Sequence, residues 1–125
     1  LLLDDSYNAN PASMEAAIRN LRILRGGRRS AAILGDMLEL GEVSASSHFR
    51  IGHLLAGAGV DLLFTFGEEA AQIARGALEG GARKHLDDAD VKKLDGLDDL
   101  GVKKLVLAKL QPILVAAGIE GRQDR

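Results

Sequence analysis

Short apolar runs and helical segments alternate along the first two thirds of this chain. The runs cover residues 1–4, 30–34 and 62–66, and each ends at a charged residue or a glycine. Runs of this length with such boundaries are typical of buried strands. Because each run is followed by a segment of helical periodicity, we predict an α/β chain with a Rossmann-like, doubly wound, mostly parallel sheet and helices on both faces.

The helical segments carry their own start and stop signals. Asn10 is a good N-cap, and Pro11 suits the first helical position, where a missing N–H costs nothing. Gly26 then ends the first helix, Gly59 the second and Gly80 the third. The pattern therefore predicts three helices, each leading into the next strand or loop.

The last third of the chain gives a less regular pattern. Residues 84–86 predict a fourth strand, and residues 88–97 predict a further helix. Residues 104–108 fit a fifth strand, although the apolar residues around them also recur at helical spacing. Because Pro112 argues against one continuous helix there, we favour the strand. The polar tail 118–125 is expected to fray.

Composition excludes several classes of protein. The 125 residues predict a single domain, 1–125, and 46% hydrophobic residues exclude a disordered chain. With 16 basic and 18 acidic residues, there is no positive excess to drive nucleic-acid binding, and the absence of cysteine excludes thiol chemistry. No membrane span or signal peptide is visible, so we expect a soluble, cytoplasmic protein. Because the chain starts without methionine, we interpret it as a segment of a longer protein.

Ligands of parallel sheets bind outside the carboxyl ends of the strands, which makes the loop after the first strand a candidate site. Residues 4–11 of this loop read DDSYNANP. Its carboxylates suit ribose hydroxyls, its amides suit a base edge or phosphate, and Tyr7 can stack on a ring. Turn and capping chemistry explains Asn10 and Pro11 but not why the only tyrosine lies among them, so we favour a binding role.

The loops after the second and third strands are acidic. Asp36 and Glu39 could attract an amine or a metal ion, or could complement a helix N-terminus; for Glu68 and Glu69 the helix explanation is favoured. His48 lies on the inward stripe of its helix, where a buried core histidine is favoured over a substrate contact. The three histidines show no pairing that predicts a metal site.

Three nucleotide or catalytic motifs are missing from the sequence. There is no Gly-x-x-x-x-Gly-Lys-Ser/Thr loop, no Gly-x-Gly-x-x-Gly after the first strand and no Gly-x-Ser-x-Gly elbow. The chain by itself therefore cannot cradle a triphosphate in the P-loop manner.

Two motifs together resemble the C-terminal domain of the Mur ligases. They are DDSYNANP at residues 4–11 and GDMLELG at 35–41, and His48 and Glu68 also fit the family pattern. The resemblance covers about the first two thirds of the chain. From about residue 98 onward the chain departs from that pattern.

The resemblance implies the third domain of an ATP-dependent amide ligase of peptidoglycan synthesis. Such a ligase phosphorylates a peptide carboxylate with ATP, and an amine then attacks the acyl phosphate. ATP and Mg would be bound mainly by domains outside this chain, and the chain alone would be inactive. Its implied partners are the N-terminal and central domains of the same enzyme, a UDP-sugar peptide and D-alanyl-D-alanine.

The resemblance also implies roles for matching residues, although it implies no catalytic residue and no metal ligand here. The implied nucleotide-binding residues are Asp4, Asp5, Tyr7, Asn8 and Asn10. The implied substrate-binding residues, on the acceptor side, are Asp36, Met37, Glu39 and His48.

Other interpretations remain open on the sequence alone. They are a stand-alone module that binds a small molecule or nucleotide, the equivalent domain of a cyanophycin or folylpolyglutamate type ligase, and a pure interaction domain. A P-loop domain directly upstream in the gene would favour a ligase, whereas an unrelated domain there would favour a module.

Overall fold

The computed structural model describes residues 2–4, 10–80, 86, 90–93 and 114–118. The strands in these residues are β1 (Leu2–Asp4), β2 (Ser30–Leu34), β3 (Leu62–Thr65), β4 (Val91–Lys93) and β5 (Leu114–Gly118). The α-helices are α1 (Pro11–Arg25), α2 (Ser44–Gly57) and α3 (Ala71–Gly80), and a 3₁₀ turn, Gly41–Val43, precedes α2. None of the described helices has the length and apolar character that crossing a bilayer requires.

The strands form one parallel sheet in the order β1-β5-β2-β3-β4. The steps from β1 to β2, β2 to β3 and β3 to β4 all move toward the same edge of the sheet. Right-handed crossovers in one direction place α1, α2 and α3 on the same face. The predicted Rossmann-like α/β fold with parallel strands is confirmed, whereas helices on the second face of the sheet stay a prediction, because the α-helices among the described residues lie on one face.

The core lies between this helix layer and the sheet. All five residues of β2 are buried, which fits its place between two neighbouring strands. Burying each large aliphatic side chain stabilises the fold by about 1.5–3 kcal/mol. The fully buried large side chains include Leu21 of α1, Leu55 of α2, Leu63 of β3 and Ile73 of α3.

The fourth strand does not lie where the sequence pattern predicts it. Leu86 is buried but belongs to no strand, and the strand forms instead at Val91–Lys93, inside the helix predicted for 88–97. Val91 pairs with Leu63 and packs against the core. The helix prediction was therefore wrong, because pairing with β3 outweighs a local helical pattern. The strand prediction was wrong at Leu86, and residues 84–85 lie outside the described residues.

The strand between β1 and β2 was also missed. The strand predicted at 104–108 lies outside the described residues, whereas Leu114–Gly118 pairs with β1 on one side and β2 on the other. Assigning Gly118 to the polar tail was wrong, since it pairs with Leu34. An uncharged run such as Leu-Val-Ala-Ala-Gly suits a parallel strand with neighbours on both sides.

Candidate functional site

The loops after β1, β2 and β3 leave the sheet from the same edge, because the strands are parallel. Asp4 and Ile33 both pair with Ala117, so the carboxyl ends of β1 and β2 are separated by β5 alone. Two strand spacings amount to about 10 Å. Parallel pairing thus brings the strand ends that carry the first two polar loops to one edge of the sheet, as the predicted parallel sheet requires.

Within the first loop, Asp5, Tyr7 and Asn8 lie outside the described residues, and Asp4 is described as the last residue of β1. Asn10 forms a capping box with Ser13: its Oδ1 accepts the Ser13 N–H at 3.0 Å, and the Ser13 Oγ accepts the Asn10 N–H at 3.1 Å. Pro11 follows at the first helical position. The predicted cap is confirmed, and a nucleotide contact of this loop stays a prediction.

Asp36 ties the loop after β2 to the start of α3. Its Oδ1 accepts the Ala70 N–H at 2.6 Å, which satisfies a donor at the entrance of that helix. Gly67 allows this approach, since its φ is +100° and an added Cβ would lie 2.3 Å from the Asp36 Oδ1. One carboxylate oxygen of Asp36 therefore has a structural role at the start of α3.

His48 holds Met37, the residue that follows Asp36 in that loop. Its ring is fully buried, its Nε2 accepts the Met37 N–H at 2.9 Å, and its Nδ1 lies 2.7 Å from the Ser44 carbonyl oxygen. A carbonyl oxygen only accepts, so this network assigns the ring proton to Nδ1. Met37 is buried as well. The favoured interpretation of His48 as a hydrogen-bonded core histidine is what the structure shows.

A further contact joins the start of α2 to the loop after β3. The Ser44 Oγ donates a hydrogen bond to the Glu69 Oε1 and lies 3.3 Å from the His48 Nδ1. Sequence reasoning missed Ser44 and treated Glu69 as a helix-terminal charge. Because the partners are 25 residues apart, no local pattern could have paired them.

Glu39 is the exposed member of the predicted acceptor-side set. Its φ of +63° lies in the left-handed region, which no other non-glycine residue among those described adopts. A backbone of this kind costs on the order of 1–3 kcal/mol and persists where its surroundings fix it. No hydrogen bond or ion pair engages the Glu39 carboxylate within the described part of the chain, so it is available at the surface.

The described residues do not form a metal centre. No three His, Asp or Glu side chains among them come close enough together to hold an ion.

A comparison with protein families identifies the family to which this domain belongs. Residues 1–118 match the family described as Mur ligase, glutamate ligase domain. This chain belongs to the Mur ligase family. The two motifs on which the resemblance rests, at 4–11 and 35–41, lie inside the matched residues.

Curated relatives of this Mur ligase domain share one more specific name. It is 41% identical over 78 residues to UDP-N-acetylmuramoyl-tripeptide–D-alanyl-D-alanine ligase of Bacillus subtilis (strain 168), covering 62% of this chain and 17% of the relative. It is 39% identical over 88 residues to the ligase of the same name from Escherichia coli (strain K12), covering 70% and 18%. The matched part of the chain thus spans less than a fifth of these relatives.

Solved structures agree with the fold along nearly the whole chain. The MurF ligase from Thermotoga maritima in complex with ADP superposes with a TM-score of 0.66 at 26% identity, covering 97% of this chain and 25% of that one. MurF from Acinetobacter baumannii gives 0.63 at 26% identity, covering 94% and 24%. The Mur ligase domain therefore corresponds to about a quarter of each MurF chain.

Proposed function

We propose that this Mur ligase domain is the C-terminal domain of a longer enzyme that joins D-alanyl-D-alanine to UDP-N-acetylmuramoyl-tripeptide with consumption of ATP. The observation that carries the proposal is the similarity to ligases of that name in Bacillus subtilis and Escherichia coli. Since the match spans less than a fifth of those relatives, a central P-loop domain and an N-terminal domain would supply the remaining sites.

In the proposed reaction, the tripeptide carboxylate attacks the γ-phosphorus of ATP and releases ADP. The amine of D-alanyl-D-alanine then attacks the acyl carbon, phosphate leaves, and the ammonium proton is lost as the amide forms. Holding the amine beside the acyl phosphate replaces an encounter in solution by a reaction within one complex. Closing the domain over the site would also exclude water, which otherwise hydrolyses the acyl phosphate.

The nucleotide side of the site is assigned to Asp4, Asp5, Tyr7, Asn8 and Asn10. The position of Asp4 at the carboxyl end of β1 supports this assignment, as does the ADP complex of the Thermotoga maritima neighbour. Carboxylates of this loop would accept hydrogen bonds from ribose hydroxyls, and Tyr7 would stack on the base. Asn10 would contribute chiefly by fixing where α1 begins, since its Oδ1 caps that helix.

The acceptor side is assigned to Asp36, Met37, Glu39 and His48. Glu39 would receive the ammonium group of the incoming dipeptide, because its carboxylate is exposed and unengaged by the described residues. Met37 and His48, both buried, would hold the loop in place rather than contact the acceptor. Asp36 would do the same through Ala70.

The full-length enzyme allows a direct test of the acceptor side. We expect Glu39→Gln to raise the KM for D-alanyl-D-alanine about tenfold or more, because a hydrogen bond to a charged group contributes roughly 1.5–3 kcal/mol. The KM for ATP should not change. Glu68→Gln, which removes an exposed carboxylate from the loop after β3, is the matched control and should leave both constants unchanged. A dipeptide KM that Glu39→Gln leaves intact would remove Glu39 from the acceptor site.

The purified chain alone tests whether catalysis requires the other domains. It should hydrolyse no ATP and form no amide, because its sequence contains no P-loop to hold the β- and γ-phosphates. The measurement is phosphate release and product formation with all substrates present. Turnover by the chain alone would refute its role as a dependent domain.

A further inference from the structure

Positive charge is concentrated in the second half of α1 and just after it. Residues 16–35 contain five arginines and no acidic residue, although the chain as a whole has a net charge of −2. Arg19, Arg22, Arg28 and Arg29 are exposed. The chain therefore has a local basic region that its overall composition does not indicate.

Stabilisation of the helix end explains only part of this charge. The Arg28 guanidinium donates to the carbonyl oxygens of Leu24 and Arg25 at 2.8 and 3.4 Å, which satisfies acceptors at the end of α1. Arg22 lies in the last turn, where a cation complements the helix dipole. Arg19 lies in the middle of the helix, where neither explanation applies.

Four side chains form one continuous patch on α1 and the adjoining part of α2. Arg22 and Ile23 follow Arg19 by three and four residues, and residues at these spacings are neighbours on a helix surface. The Glu15 Oε1 lies 3.1 Å from the Arg50 Nη2 and 3.6 Å from the Arg19 Nη1, so Arg50 adjoins the same patch. We call this patch the α1 basic surface; it consists of Arg19, Arg22, Ile23 and Arg50.

Ile23 is the apolar member of the α1 basic surface. It is 74% exposed, more than any other large apolar side chain in the described part of the chain. An isolated exposed isoleucine needs no explanation. An isoleucine among guanidinium groups, however, is typical of surfaces that lie on a bilayer, where cations meet anionic headgroups and an aliphatic side chain enters the acyl boundary.

We propose that the α1 basic surface binds an anionic lipid bilayer. The guanidinium groups of Arg19, Arg22 and Arg50 contact lipid phosphates, and Ile23 enters the boundary with the acyl chains. A soluble polyanion would engage the arginines but would leave Ile23 in water, so the apolar member favours the bilayer. With three cations and one aliphatic group, the binding is weak and reversible.

The α1 basic surface lies away from the polar loops of the candidate site. Helix α1 starts after the carboxyl end of β1 and ends before the start of β2, so it runs toward the opposite edge of the sheet. Ile23 follows Pro11 by twelve residues, which amounts to about 18 Å along the helix. The inference therefore goes beyond the proposed function and does not depend on it.

Sedimentation of the full-length protein with lipid vesicles tests the inference. We expect binding to vesicles of equal parts phosphatidylglycerol and phosphatidylcholine, and none to vesicles of phosphatidylcholine alone. Binding should be lost at about 1 M salt, where the Debye length is about 3 Å. Equal binding to both kinds of vesicle, or binding to neither, would overturn the inference.

Charge variants test whether this surface makes the contact. Arg22→Gln should weaken binding to the mixed vesicles about fivefold, which corresponds to about 1 kcal/mol for an arginine near such a membrane. Glu15→Gln should strengthen binding, because it removes the carboxylate between Arg19 and Arg50. Arg75→Gln, which removes an exposed arginine from α3, is the matched control and should have no effect. Equal losses for Arg22→Gln and Arg75→Gln would overturn the inference.

Variants of Ile23 separate a bilayer from a soluble polyanion as the occupant. Ile23→Ser should weaken vesicle binding about tenfold, whereas Ile23→Leu should retain it, because only the serine variant removes the apolar contact. Wild-type binding by Ile23→Ser would overturn the inference in favour of a polyanion. If the wild-type enzyme ligates no D-alanyl-D-alanine, the proposed function fails, whereas vesicle binding still decides the role of the α1 basic surface.

Discussion

Helix α2 contacts α3 on one side and α1 on the other, by different means. Toward α3 the backbones touch: a Cβ added to Gly52 would lie 2.0 Å from the Ile73 carbonyl oxygen, and one added to Gly76 would lie 2.0 Å from that of Phe49. Toward α1, side chains hold the helices apart and leave a groove of about 250 Å³. Its lining includes Glu15, Ile18, Arg19, Arg22, His53 and Leu54.

This difference bears on how the two halves of the proposed site are held. The candidate acceptor loop, which follows β2, is held beside the close pair α2 and α3. The contacts that hold it are those of Asp36 with Ala70 and of Ser44 with Glu69, at the start of α3. The first polar loop leads instead into α1, which packs more loosely. A backbone contact cannot adjust by rotating a side chain, so we expect the acceptor half to be the more rigid one.

The largest effect should come from breaking the α2–α3 contact. Gly52→Ala would force its methyl group into backbone atoms of Ile73 and Ala77. Overpacking commonly costs 1–3 kcal/mol and sometimes more, so we expect a loss of about 3 kcal/mol in the free energy of unfolding, measured by urea denaturation of the chain.

Gly57→Ala is the matched control in the same helix. Apart from the backbone of its own helix and its chain neighbours, no atom lies within 4 Å of a Cβ added there, so the better helix propensity of alanine should raise stability by up to about 1 kcal/mol. Similar losses for the two variants would mean that α2 and α3 are not in backbone contact.

The second prediction concerns the contacts that hold the acceptor loop on the close pair. His48→Leu would leave the buried Met37 N–H without its acceptor and would remove the Nδ1 donor that contacts the Ser44 carbonyl oxygen. We expect a loss of about 2–3 kcal/mol, together with faster hydrogen exchange at the Met37 amide.

His48→Gln supplies the comparison for that variant. Its side chain offers an acceptor for the Met37 N–H, so it should recover part of the stability and of the amide protection. An unchanged Met37 exchange rate in His48→Leu would show that the ring does not hold the loop.

Much of the fold could be predicted from local signals. Asn10, Pro11 and Gly26 mark the ends of α1 chemically, and the run 30–34 coincides with β2. After residue 80, the predictions that the described residues test were wrong, because Val91–Lys93 and Leu114–Gly118 become strands through pairing with partners far away in sequence. Hydrophobic periodicity depends on one segment alone and carries no information about the strand with which that segment will pair.

In the candidate site, too, local signals were predictable from the sequence and long-range contacts were not. The sequence predicts which residues follow the strands, and parallel pairing confirms that they meet at one edge. It does not predict that Asp36 reaches across Gly67 to Ala70, or that His48 uses both ring nitrogens within the protein. Those contacts depend on backbone positions set by the packing of α2 on α3.

A smaller effect is expected at the start of the loosely packed helix. Asn10→Ala should lower the free energy of unfolding by about 1 kcal/mol, because the Ser13 N–H loses its acceptor. Asn10→Ser, which retains a capping oxygen, should lose only a few tenths of that amount in the same urea titration. Equal losses would show that the stability of α1 does not depend on this cap.

The smallest effect should come from the ion pairs at the α1–α2 groove. The Glu15 Oε1 lies 3.1 Å from the Arg50 Nη2 and 3.6 Å from the Arg19 Nη1, and the arginine side chains are 61% and 66% exposed. Exposed pairs contribute about 0.2–1 kcal/mol and are screened by salt, so Glu15→Gln should cost about 0.5 kcal/mol in dilute buffer and almost nothing at 1 M salt. A double-mutant cycle with Arg50→Gln isolates the contact between the helices from the pair within α1. A coupling well above 1 kcal/mol that persists in high salt would mean that α1 is fixed to α2 as firmly as α3 is, and the contrast between the two sides of α2 would disappear.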